Sequence, residues 1–197
     1  MRYIKRLLLL LAVILPVGCT TTQPSRFYVL TPEATAAGVP GAFDLIVGVG
    51  PVRLVAYLER PQIVTRNNAN LLKVEEFDRW GGTLETNITW VMAENLSRLL
   101  ATEAVVTFPW ERAVEPDYQV AIDIRQFDLV ADSQILLSAQ WRILGDDGRS
   151  LYAIQKTDLT EAVSEAGFSA QIAAKSRALA RLSEVIAARI KTLRSHR

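Results

Sequence analysis

The chain has 197 residues, with 22 basic and 21 acidic side chains, a net charge of +1, one cysteine and one histidine. So even a balance excludes a general polyanion binder, and nucleic acid is not an expected partner. A lone Cys excludes disulfides within the chain and Cys-based metal sites, and a lone His beside the C-terminus, His196, leaves no Ser/His/Asp or Cys/His arrangement.

The first element is an export signal. Arg2, Lys5 and Arg6 precede an unbroken apolar run, Leu7 to Leu15, which is too short to serve as a mature membrane span. It ends in Pro16-Val17-Gly18-Cys19, a small residue directly before a cysteine. This resembles the bacterial lipobox, although its usual Leu stands one place early, at Leu15, with Pro16 in its position. The expectation is cleavage after residue 18 and acylation of Cys19, whose added chains give durable membrane attachment. Thr20 follows where an Asp would signal inner-membrane retention in enterobacterial sorting, so the outer membrane, on its periplasmic face, is the expected location. Losing residues 1–18 removes three basic and no acidic side chains and moves the net charge from +1 to −2.

Residues 19–25 read as a lipidated polar tether, and 26–197 as a single domain long enough to bury a full core. Arg26 to Leu30 predicts a short strand closed by Thr31-Pro32, and the small residues of 33–42 predict a loop. Asp44 to Val52 is a β-branched run in which Gly48 and Gly50 predict close packing or a bulge. No dinucleotide site is expected there, because Arg53 replaces the third glycine and no helix follows. Residues 62–66 and 70–76 predict a hairpin across Asn67-Asn68-Ala69. Thr83 is a predicted N-cap, with Thr86 at N3, for a helix over about 84–101. Its stripe is Ile88, Val91, Met92, Asn95, Leu96, Leu99 and Leu100. Two glycosylation sequons, at Asn87 and Asn95, fall inside that helix and are set aside.

Tyr118 to Val130 alternates, with Tyr118, Val120, Ile122 and Ile124 on one face. Residues 134–144 and 151–160 predict strands joined through Gly145-Asp146-Asp147-Gly148, a turn lacking the further ligands of a calcium loop. A second helix over about 167–194 has an apolar stripe of Ile172, Leu179, Leu182, Ile186, Ile190 and Leu193. Lys175, Arg177, Arg181, Arg189, Lys191 and Arg194 are assigned to its solvated face, with contact to anionic lipid head groups as a further role. The expected fold is an α/β sandwich, a mixed sheet of five or six strands with two long amphipathic helices. No catalytic residue, metal site or cofactor is expected. Glu75-Glu76 are neighbours on a strand and point to opposite faces, while carboxylates from separate elements remain open as a pair.

Three blocks carry a resemblance: "RFYVL", "VGVGPVRLVAYLERPQIVTR" and "EFDRWGGTLETNITWVMAENL", in order behind the lipobox and spanning about residues 19–101. They resemble the PqiC family, auxiliary lipoproteins of ABC-type transporters of the MCE class; the C-terminal half is similar in pattern only. The resemblance implies a non-catalytic outer-membrane lipoprotein. Its implied partner is the MCE-domain, PqiB-like tunnel protein of an inner-membrane permease and ATPase, which passes phospholipid or another hydrophobic cargo between membranes. A homo-oligomer is also compatible with it. Residues 57–82 then read as a recognition surface, with Tyr57, Arg60, Arg66, Arg79 and Trp80 as contact residues, since arginine and aromatic side chains are enriched at interface hot spots. The competing reading makes Tyr57 and Trp80 core aromatics and pairs the arginines with Glu59, Glu75 or Asp78. The alternative functions are a lipid chaperone that holds a hydrophobic ligand in a cavity of its own, and a purely structural envelope lipoprotein. Intact mass of membrane-extracted protein should show an acylated chain beginning at Cys19, and Cys19→Ser should accumulate as uncleaved precursor.

Overall fold

The computed structural model describes residues 23–36, 38, 45–130, 133–145 and 148–195. The signal segment, Cys19, Thr20, Asp146-Asp147 and His196 lie outside the described residues. Those described form β1 (Arg26–Tyr28), β2 (Val47–Leu54), a 3-10 turn (Ala56–Leu58), β3 (Gln62–Asn68), β4 (Leu71–Trp80) and α1 (Leu84–Leu100). There follow β5 (Val105–Thr107), β6 (Tyr118–Val130), β7 (Gln134–Gly145), β8 (Ser150–Ala162) and α2 (Phe168–Ser195).

The expected α/β architecture with two long helices is borne out. The main sheet has the order β5-β2-β6-β7-β8 and is mixed: β2 runs parallel to β5 and β6, while β6, β7 and β8 alternate in direction. The hairpin predicted over 62–76 does not join it. Together with β1 it makes a second sheet, β1-β4-β3, because both edges of β2 are already taken by β5 and β6. Strand β5 escapes sequence reading, its three residues being too few to show a period.

The glycines of β2 let its neighbours approach closely. A side chain at Gly48 would stand 2.8 Å from the Trp110 ring. Gly50 has φ +123°, in the region that favours glycine, and a Cβ there would lie 2.6 Å from Phe108 Cβ. The register with β6 shifts between Val49 and Val52, so close packing and a bulge are both present.

Both helices cover one face of the main sheet. Thr83 caps α1 as its sequence predicts, its Oγ1 accepting from Thr86 N–H at 3.1 Å. Asn87 and Asn95, two turns apart, accept backbone N–H groups of Leu30 and Ala34 and hold the segment after β1 along the helix. On α2, Ile172, Leu179, Leu182, Ile186 and Ile190 are buried as the stripe predicts. Lys175 is the correction on this helix: assigned to the solvated face, it is 2% exposed. Four residues before Leu179, it belongs to the same helix face and points into the protein.

Truncation inside this core should be costly. Leu179→Ala and Ile186→Ala, both at fully buried positions, are each expected to lose about 2–5 kcal/mol in urea unfolding. Ile154→Ala, on an exposed part of β8, should lose less than about 1 kcal/mol.

Candidate functional site

The segment after β2 leaves the main sheet through the 3-10 turn and re-enters as the β3–β4 hairpin, so residues 57–82 wrap the junction of the two sheets. What holds them there comes from β6. Its pairing with β7 skips Arg125, since Ile124 faces Ala139 and Gln126 faces Ser138. One extra residue inverts the alternation. Up to Ile124 the even-numbered residues face the helices; beyond it Phe127 and Leu129 do, and Asp128 is turned toward the small sheet.

Asp128 is fully buried, so its charge must be answered inside the protein. Tyr57 donates its hydroxyl to Oδ2 at 2.9 Å, Arg66 donates Nε to the same oxygen at 3.0 Å, and its Nη2 lies 3.0 Å away. The Arg66 guanidinium also lies 5.6 Å from the Tyr57 ring centroid and donates to Ala69 O, closing the hairpin turn. Burial, then the charge of Asp128, pushes the Tyr57 hydroxyl up to about 12. From the helix side, Lys175 donates Nζ to the Phe127 carbonyl and lies 4.2 Å from that residue's ring centroid. Burial pushes its ammonium down to about 8, against the pull of Asp128.

The five residues singled out in the sequence therefore fall into separate environments. Tyr57 and Arg66 are brought together, tied inward by Asp128. Trp80 is a core residue, 4% exposed. Arg60 is exposed and lines an open cleft of about 440 Å³ with Leu54, Leu58, Glu59, Pro61 and the start of α1, Gly82 to Glu85. Arg79 is half-buried on the outer face of the small sheet, opposite Phe27 of β1; its Nε donates to Glu76 O at 3.3 Å and its guanidinium lies 3.9 Å from the Glu76 carboxylate. That face carries two exposed aromatics, Phe27 at 66% and Phe77 at 36%, on either side of Arg79. Of the acids named as possible partners, Asp78 pairs with Arg26 instead, at 2.8 Å, and takes the Tyr28 hydroxyl. Sequence reading missed Asp128 and Lys175; the broken alternation of β6 and the four-residue step from Lys175 to Leu179 were the available signals.

Among the described residues no cluster of His, Cys, Asp and Glu could hold a metal ion, and no helix is long and apolar enough to cross a membrane. The fold and its surface define an α/β sandwich domain whose prominent features are clefts and exposed side chains around a rigid junction. The family model for the ABC-type transport auxiliary lipoprotein component matches residues 28–187, and the chain belongs to that family. This bears out the resemblance read from the opening blocks. No curated protein matches the chain. Among solved structures, an uncharacterized protein shares 15% identity at a TM-score of 0.70, over 85% of this chain and 99% of its own. Protein XCC0632 from Xanthomonas campestris shares 17% at 0.68, over 83% and 93%. At these identities the likeness is one of fold.

The buried lysine has a pH signature. Below about pH 8 Lys175 is charged in both folded and unfolded chains, and the folded state bears the full cost of its burial. Between about 8 and its ordinary 10.5 the unfolded chain holds more protons, so stability rises with pH. Tyr57 acts oppositely, but only above about pH 10. Urea midpoints should therefore climb from pH 7.5 to 9.5, by on the order of 2 kcal/mol in stability, and the climb should vanish in Lys175→Met.

Proposed function

We propose that this ABC transport auxiliary lipoprotein is held by a lipidated Cys19 in the outer membrane. Its folded domain would then face the periplasm and dock the MCE-domain tunnel protein of its system. The docking surface is the outward part of residues 57–82 together with Phe27 of β1: the cleft at Arg60 and the face that Arg79 shares with Phe27 and Phe77. Its role is binding, with no chemistry of its own, so that hydrophobic cargo can cross between the membranes.

The observation that supports this reading most is how the segment divides its labour. Tyr57, Arg66 and Trp80 are anchored inward, while Arg60 and Arg79 are presented on either side of the same junction. Pro61, in the cleft wall, accepts the Trp80 N–H, so the strand end carrying Arg79 is fixed to the cleft itself. A rigid base with an exposed guanidinium beside apolar side chains suits an interface anchor, because little side-chain freedom is left to lose on binding.

Arg60→Glu and Arg79→Glu should each weaken binding to the purified MCE-domain partner, by about thirtyfold where the guanidinium is buried on docking. Circular dichroism and thermal melting should stay unchanged. Arg66→Glu should behave differently and destabilise the fold by roughly 3–5 kcal/mol, because Asp128 is left buried without its ion-pair partner. Biosensor titrations showing wild-type affinity for both surface variants would move the docking site off this segment.

A further inference from the structure

The tip of the β3–β4 hairpin lies about as far from Arg26 as Cys19 can. Strand β1 runs parallel to β4 with Arg26 opposite Asp78. The side from which the chain enters β1 is therefore the side on which β4 leads back to the hairpin turn. From Asp78 back to Leu71 is seven residues of strand, about 23 Å at 3.3 Å each. From Arg26 back to Cys19 is also seven residues, and seven residues span at most about 25 Å. An acylated Cys19 stands at the membrane surface. With the hairpin end toward the membrane, a fully straight tether brings the tip level with Cys19. Any shorter span brings it nearer the acyl chains.

The composition of the tip suits that contact. Asn67 to Leu72 carry no charge. The charges flanking them are answered within the protein, Arg66 by the buried Asp128 and Lys73 by Glu75 at 3.0 Å. Asn68, Ala69 and Asn70 are exposed, and directly behind them Leu71 is 53% and Val74 38% exposed. Of the large apolar side chains exposed among the described residues, Phe27, Leu71, Val74 and Phe77 all belong to this one small sheet. A neutral turn of amides with an apolar side chain behind it matches the interfacial layer of a bilayer. There the amides meet head-group and glycerol oxygens, the leucine meets acyl chains, and no anionic lipid is needed.

We propose that the hairpin tip rests in the interfacial layer of the membrane that holds Cys19, with Leu71 against the acyl chains. This rests on the acylation of Cys19 put forward above, and is independent of where the MCE-domain protein docks. The short tether and the tip are then two contacts with one bilayer, and together they orient the domain. Phe77 and Arg79 lie six and eight residues further along β4, about 20–26 Å from the tip. The hairpin is a strut that sets the height of that face above the membrane.

The test uses the full-length lipoprotein in phosphatidylcholine nanodiscs, with and without doxyl groups high on the acyl chains. Acylation blocks the lone native cysteine, so Asn70→Cys gives a single free thiol for an environment-sensitive fluorophore. The control is Leu151→Cys, exposed at the other end of the main sheet. Arg66 to Ala69 share a cleft with Val130, which pairs with Gln134 of β7, whereas Leu151 pairs with Leu144, ten residues further along β7. Doxyl lipid should quench the probe at position 70 about fivefold more than the control, equally with and without phosphatidylglycerol. Adding Leu71→Asp, at an exposed position, should cut that difference by about half or more. An insertion of about twelve Gly and Ser residues between Gln23 and Pro24 should do the same by freeing the domain from the surface. Equal quenching at the two positions in an acylated chain would overturn the proposal, and so would quenching that survives either change undiminished. Fluorophore uptake by the wild-type chain would show a free Cys19 and remove the anchor itself, which separates that failure from failure of the tip.

Discussion

A carboxylate with no access to water has to be answered from inside the protein, and the response to Asp128 organises the junction of the two sheets. Its oxygen Oδ2 draws Tyr57 from the 3-10 turn and Arg66 from β3 onto one point of β6. Arg66 in turn ties off the hairpin at Ala69, and Lys175 answers from the helix side through the Phe127 carbonyl. Such a cluster is a poor source of net stability, since desolvating the charges offsets most of their attraction. What it supplies is position: removing Arg66 leaves the buried Asp128 charge without its ion-pair partner, which holds the small sheet in one place against the large one.

That arrangement rests on a single extra residue in β6. Were Arg125 not skipped, Asp128 would continue the even-numbered face with Tyr118, Val120, Ile122 and Ile124, and its charge would stand among the buried side chains beneath the helices. The bulge exchanges it for Phe127 and Leu129, keeping the helix side apolar and delivering the acid where cations reach it. Fixing the junction from within leaves the outward residues of the same segment available, and so Arg60 and Arg79 differ in environment from Arg66 although all three lie within twenty residues.

The two helices divide along their length in a similar manner. Near β1 they are stitched to the chain by polar groups: Asn87, Asn95 and Ser176 each accept a backbone N–H from the segment 30–34. The first half of the outer face of α2 is neutralised by Glu161. At the far end Leu45, Leu100 and Ile190 border an open cleft. One end of the sandwich is thus tightly bonded, and the other is the end with space.

The sequence by itself determined the elements whose signal is local. The cap at Thr83, the stripes of both helices and the alternation of β6 up to Ile124 depend on residues a few positions apart, and appear where the pattern places them; the hairpin forms too, but its turn falls at Ala69-Asn70, with Asn67 and Asn68 still in β3. The family could be read too, because its blocks are contiguous. Only the tertiary structure decided which strands share a sheet, since pairing depends on which edges are free once β5 and β6 flank β2. It also decided which charges are buried. Lys175 reads as one more cation on a basic helix and Asp128 as one more polar residue in a strand; their burial follows from a register shift in β6 and from partners 48 and 62 residues away. Asn87 and Asn95 match a modification motif by sequence, and only the fold shows them bonded to the backbone of a distant segment. Local periodicity records which way a side chain points along its own element, and what it meets there is set by elements far away in the chain.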